Sequence, residues 1–199
     1  MKRVVVGGHT RNIGKTQTAC AILAETADLG WTAVKMTRFG HGMCATDGKP
    51  CDCAVNDPVH PYVVAEERDR DGGEDTCRML RAGAKRAWWL RAPLAQLGLA
   101  MPALEERIAG ESHVLFESNS GLDFFTPDLY VAVLDTRIED FKDSARRHLE
   151  RADAFVLAAP DVEPPWPWFD RELLQRKAVF GLGDSGLSAW VRRGLGGDS

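Results

Sequence analysis

The sequence predicts an α/β fold, a doubly wound and mostly parallel sheet of about seven strands in a single domain. Two observations predict it. Short apolar, β-branched runs alternate with helical segments along the chain. The stretch VVVGGHTRNIGKTQTACAILAE, residues 4–25, passes from a buried strand through a glycine turn into a helix. A length of 199 residues suits one domain over 1–199 and leaves little room for a second.

Each element has its own warrant. Residues 3–6 read as the first strand, and 16–29 as a helix with Ala19, Ile22 and Leu23 on one face and Gly30 at its end. Residues 31–37 form the second strand. The stretch from 38 to about 73 is polar and rich in Gly, Asp and Cys, without a period, and is expected to be an insertion loop of functional or disordered character. Beyond it, helices are predicted over 75–84, 94–109, 140–151, 169–176 and 187–193. Strands are predicted over 86–91, 113–117, 130–134, 154–159 and 178–182. No internal repeat or low-complexity segment interrupts the alternation.

Composition narrows the function classes. With 44% hydrophobic and 27% charged residues the chain reads as soluble and globular, and no apolar run approaches a membrane span. No signal-peptide pattern precedes the first strand, so a cytoplasmic location is expected. A net charge of −4 offers no bulk attraction to nucleic acid or anionic lipid. Residues 78–91 hold five basic side chains and two tryptophans, read as a solvated helix followed by a strand whose tryptophans enter the core.

The glycine turn is the most informative stretch. The pattern GxxxxGK[ST] places four residues between its glycines, whereas five separate Gly8 from Gly14 here. The chemistry is less strict than the spacing. A loop leaving a buried strand must turn backbone N–H groups inward and bring a polyphosphate to a helix N-terminus. Gly7 and Gly8 allow the turn, Gly14 allows close approach, Lys15 reaches the β- and γ-phosphates, and the Thr16 hydroxyl can ligate Mg²⁺. The candidate nucleotide-binding residues are Gly8, His9, Thr10, Arg11, Asn12, Ile13, Gly14, Lys15, Thr16 and Gln17. No Asn-Lys-x-Asp sequence reads guanine, so GTP and ATP both stand.

A nucleotide site also needs a carboxylate beside Mg²⁺ at the end of a buried strand. Glu117 directly follows the apolar run of Val114, Leu115 and Phe116 and is the candidate. Asn119 and Ser120 are candidates for positioning water or substrate. Lys35, near the end of the second strand, can neutralise a phosphoryl or carboxylate group.

Together these residues resemble one group of proteins. The loop with five residues between its glycines is similar to that of the dethiobiotin synthetases, within the SIMIBI class of P-loop proteins. The order of P-loop, AVKMT, EDTCRMLRAGAKRAWWL and VLFES resembles the MobB family, adaptors of molybdopterin-guanine dinucleotide biosynthesis, over roughly the first 120 residues. The resemblance implies a P-loop NTPase fold, nucleotide and metal roles for Lys15, Thr16, Lys35 and Glu117, a cofactor-biosynthesis or metalloenzyme partner protein, and a homodimer. Ser118-Asn119-Ser120 departs from the glycine usual in that family, and cysteines replace its histidine-rich stretch.

Those cysteines are a second candidate site. Of five in the chain, Cys44, Cys51 and Cys53 share a short segment with His41. Thiolates and imidazole suit Zn²⁺ or an iron–sulfur cluster, although Cys-x-Cys is an unusual zinc spacing; redox chemistry and no special role are the alternatives. Cys77 or His60 can complete a ligand set by folding back, whereas Cys20 belongs to the apolar face of the first helix. Arg11 reads as an exposed loop arginine, with a reach across a dimer as the alternative. Glu66, Glu67, Asp69 and Asp71 read as a solvated charge run, and PPWPWF, residues 164–169, as packing across the sheet end.

Three roles follow. In one, the nucleotide is a switch and the Cys-rich loop delivers a metal or cofactor to a partner protein. In another, the chain is an ATP-dependent small-molecule ligase or kinase of the dethiobiotin synthetase type. In the third it is a metal sensor or structural protein with a vestigial P-loop.

Overall fold

The computed structural model describes residues 1–38, 42–43, 50–51 and 61–196. Its strands are β1 (Lys2–Gly8), β2 (Thr32–Arg38), β3 (Gly42–Met43), β4 (Pro50–Cys51), β5 (Val63–Glu67), β6 (Arg86–Ala92), β7 (His113–Glu117), β8 (Leu129–Leu134), β9 (Ala154–Leu157) and β10 (Ala178–Gly181). Its α-helices are α1 (Lys15–Glu25), α2 (Asp75–Arg81), α3 (Leu97–Ile108), α4 (Asp143–Arg146), α5 (Glu172–Arg176) and α6 (Gly186–Gly194). The main sheet has eight strands in the order β10-β9-β8-β1-β7-β2-β6-β5, and β3 pairs with β4 separately. All pairings in the main sheet are parallel except that of β5 with β6. No described helix is long and apolar enough to cross a membrane.

The doubly wound expectation holds, and the apolar runs explain why. β1, β7 and β8 are central, so both faces of each strand are covered and Val4, Val5, Val6, Leu115, Phe116, Val131 and Val133 have no exposed surface. On one face, residues of α1, α2 and α6 share a core with Trp31; on the other, α3, Phe155, Trp166 and Phe169 belong to the second core. Trp88 enters this second core as predicted, whereas Trp89, on the other side of the strand, stays half-buried outside both cores with its indole N–H on Thr37 Oγ1 at 2.9 Å; Cys20 packs against the first core.

Three expectations need correction. Part of the stretch read as loop is the edge strand β5, whose acidic residues concealed it. Glu66 pairs with Arg86, and the Glu67 carboxylate accepts the backbone N–H groups of Arg68 and Asp69 and the Thr76 hydroxyl, so this part of the charge run is structural. The helix predicted over 140–151 is reduced to α4, Asp143–Arg146, with a 3₁₀ turn over Leu149–Arg151; it begins only at Asp143 because the backbone N–H of Lys142 donates to His9 O at 2.9 Å and the backbone O of Asp140 is held by the His9 ring. The first helix stops at Glu25, where the Thr26 hydroxyl donates to Ile22 O at 2.6 Å; a 3₁₀ turn over Ala27–Leu29 follows.

Trp31 is fully buried, donates its indole N–H to the Thr26 hydroxyl at 2.8 Å and meets His113 edge-on at 5.4 Å. Trp31→Ala is expected to destabilise the fold by about 3–5 kcal/mol. A urea unfolding series checks this, and a loss below about 1 kcal/mol would contradict such packing.

Candidate functional site

Strand register builds the site. Val6 of β1 stands beside Glu117 of β7, which stands beside Lys35 of β2, itself beside Trp89 of β6. The loop leaving β1, the acid ending β7 and the lysine of β2 therefore share the carboxyl edge of the sheet. They line a cleft of about 650 Å³, with Gly8, Thr10–Gln17, Asp75, Arg78 and Lys142 also on its walls.

The loop's entry explains its glycines. A Cβ on Gly7 would come within 2.3 Å of Asn119 Oδ1, and one on Gly8 within 2.8 Å of Ile13 Cδ1. Asn119 grips Gly8, its Oδ1 accepting the backbone N–H at 2.9 Å and its Nδ2 donating to the carbonyl at 2.7 Å. Above the end of β7, where the backbone ladder stops, this amide acts as one more strand residue. Asn12 and Gly14 take positive φ, 57° and 97°, at the top of the loop, and Ile13 is buried beneath it.

His9 sits differently from the nucleotide contact expected of it. Its ring is fully buried, accepts the Asp135 N–H at Nε2 (3.0 Å) and meets Asp140 O at Nδ1 (2.7 Å), which fixes a neutral tautomer with the proton on Nδ1. Burial holds its pKa below the ordinary histidine value, against the hydrogen bond to Asp140. Phe141 and Trp166 pack on the ring at 5.1 and 4.8 Å. Its work is to anchor the loop.

On the cleft side, Lys15 folds back so that Nζ donates to Thr10 O, and Thr10 Oγ1 donates to the Asp140 carboxylate. Burial pushes the Lys15 ammonium down to about 8; Glu117 opposes the shift, and Lys142 and Lys35 add to it. Thr16 Oγ1 donates to Glu117 Oε2 at 2.9 Å, while Lys35 Nζ reaches Glu117 Oε1 at 3.0 Å and also pairs with Asp75. Burial pulls the Lys35 pKa down, but Glu117 and Asp75 more than reverse it. Burial raises Asp75, and the hydrogen bonds and charge of Lys35, with Thr16, bring it below the ordinary carboxylate range.

Asp75 is a site residue that sequence reasoning missed, as is Lys142. The segment EDT was noted only as part of a resemblance; the signal was an acid opening a helix after a polar stretch. Thr16, Asp75 and Glu117 together offer hard oxygen donors of the kind Mg²⁺ takes. Arg11 is exposed on the loop crest and Gln17 on α1, while Ser120 is buried on the cleft wall.

Of the proposed cysteine site, His41, Cys44 and Cys53 lie outside the described residues, as does His60, and Cys51 is described only as backbone in β4. Cys77 is buried in α2, where burial and Glu67 raise its thiol pKa. Among the described residues, no group of three or more His, Cys, Asp and Glu side chains is placed to hold a metal ion.

No family model matches the chain, and no curated protein matches it in sequence. Solved structures do resemble it. LpxK from Aquifex aeolicus, in complex with ATP, is 15% identical over 100% of this chain and 69% of its own, with a TM-score of 0.50. HypB from Helicobacter pylori, in complex with nickel, is 12% identical over 96% of this chain and 84% of its own, also at 0.50. Bacillus subtilis MobB is 15% identical over 100% of both chains, at 0.42. At such identities the first two likenesses concern architecture alone, and that architecture is the P-loop NTPase fold.

The buried lysine yields a stability prediction. Between about pH 8 and 10.5 the unfolded chain holds a Lys15 proton that the folded protein releases, so native stability rises with pH over that window. Below about 8 both states are protonated and the burial cost is constant. Lys15→Met should therefore be more stable than the native chain at pH 7, by up to about 3 kcal/mol, with the gap closing toward pH 10.5. Unfolding at pH 7 and pH 9.5 measures this, and an equal gap at both would rule out burial as the cause.

Proposed function

We propose that the chain binds a nucleoside triphosphate, ATP or GTP, together with Mg²⁺ in the cleft at the β1–α1 loop, and slowly hydrolyses its β–γ phosphoanhydride. The observation that carries this reading is the convergence of Lys15, Thr16, Lys35, Asp75 and Glu117 on one sheet edge, fixed by the Val6–Glu117–Lys35 register.

The chain's own groups divide the work. Backbone N–H groups at the start of α1 face the phosphates, and Lys15 exchanges the Thr10 carbonyl for phosphate oxygen. Thr16, Asp75 and Glu117 would hold Mg²⁺ or its waters, and the bound metal supplies neutralisation of phosphate charge. Lys35, held between Glu117 and Asp75, lies where charge develops on a terminal phosphoryl group or on an acceptor.

The role we favour is a nucleotide-dependent adaptor similar to the MobB family, working in cofactor maturation or metal delivery with a protein partner and as a homodimer. Its support is the order of sequence motifs, together with the cysteines between β2 and β5. A specific observation favours a second reading, an ATP-dependent ligase or kinase of the dethiobiotin synthetase type. Met36, Thr37, Ser118 and Ser120 extend the cleft wall past the phosphate cradle, leaving room for an acceptor.

Titration calorimetry with MgATP and MgGTP tests the shared part. One of them should bind, and Lys15→Ala should weaken it by about 10–100-fold. Phosphate released without acceptor marks the adaptor, and release only with an added acceptor marks the ligase or kinase. No binding of either nucleotide would end the proposal. Because phosphate favours protonated Lys15, affinity should fall as pH rises above about 8, with proton uptake on binding there.

A further inference from the structure

The phosphate loop is lashed to a second segment. Between the end of β8 and α4, residues 138–142 run without helix along the loop's outer side. Three hydrogen bonds tie the two together: His9 Nδ1 to Asp140 O, Thr10 Oγ1 to the Asp140 carboxylate, and Lys142 N–H to His9 O at 2.9 Å. Phe141 turns inward onto His9, Trp166 and Trp168, at 5.1, 4.9 and 4.8 Å. Lys142, the next residue, lines the cleft wall with Thr10, Arg11 and Lys15.

Resting on the nucleotide reading above, we propose that Lys142 is a second phosphate-binding lysine, directed at the terminal phosphate, through which the site discriminates a nucleoside triphosphate from a diphosphate. The direction follows from where the strap is fastened. Phosphates nearest the nucleoside meet the N–H groups at the start of α1, and the terminal phosphate lies toward the crest before it. The Lys142 N–H donates to His9 O and Asp140 of the same strap takes the Thr10 hydroxyl, so the strap is fastened to the first residues of the loop, ahead of the helix start. The charge of Lys142 is felt at Lys15, the residue that spans the β- and γ-phosphates. The backbone bond to His9 fixes where the Lys142 side chain leaves the strap, on the cleft wall beside Lys15. Lys142 acts by direct contact with the phosphate, and the strap that aims it is independent of its side chain.

The test compares affinities of the full chain, with Mg²⁺, for the β,γ-imido triphosphate analogues of adenosine and guanosine and for ADP and GDP. Lys142→Met keeps the backbone bond to His9, and Lys142→Arg keeps the charge. The expected result is a loss of about ten-fold in analogue affinity for Lys142→Met, with diphosphate affinity within about two-fold of the native chain and recovery in Lys142→Arg. Unfolding midpoints of both variants control for damage to the fold. An unchanged analogue affinity, or an equal loss for both nucleotide forms, overturns the assignment. If the native chain binds neither form, the nucleotide reading itself fails; if it binds both and Lys142→Met alters nothing, that reading stands and only this inference falls.

Discussion

With 5% of its surface exposed, the Glu117 carboxylate must be satisfied from within the protein, and Thr16 and Lys35 do so from opposite sides. That arrangement joins the first turn of α1 to the end of β2 across the end of β7. It also sets the local charge. A lysine beside two carboxylates keeps its proton, while Lys15, sharing the cleft with Lys35 and Lys142 and more affected by burial, has a weakened hold on its own. Two lysines in one cleft are thereby poised differently, one fixed as an ion-pair partner and one ready to exchange its contact for an anion.

The loop is held from both sides by groups that touch no phosphate. Asn119 clamps Gly8 from the β7 side, and His9 anchors the next residue toward β8 and the strap. The aromatic residues around His9 exclude water from its ring, which keeps the imidazole neutral and its Nε2 available as an acceptor. Preorganisation of the crest is thus the product of a side-chain amide, an imidazole and a set of aromatic contacts, with the loop backbone as the part presented to ligand.

Much of this was legible in the sequence, and for identifiable reasons. β1, β7 and β8 are apolar because they are buried on both faces, so periodicity and composition found them, and strand ends then located Glu117 and Lys35. Residues whose partners are distant in sequence were hidden. Asp75 acquires its place only when α2 packs beside α1; Asn119 is revealed as a clamp only by the β1–β7 register; and His9, which reads as a loop residue, is buried by a segment more than a hundred positions away. β5 was obscured because edge strands carry charge, here Glu66 and Glu67. The cysteine segment lies largely outside the described residues, so its chemistry rests on residue type alone.

The order of strands has a consequence for how the protein comes to exist on the ribosome. β1 is made before every other described strand, yet its neighbours in the sheet are β7 and β8, which are translated more than a hundred residues later. Throughout that interval the glycine-rich turn has neither the Asn119 amide nor the Asp135–Asp140 segment to hold it, and Val4–Val6 lack both pairing partners. Nascent chains that end before β7 therefore carry β1 as an apolar, unpaired strand, a state that slow non-local pairing prolongs and that holdase chaperones recognise. In this topology the most chemically demanding loop is synthesised well before the segments that complete it.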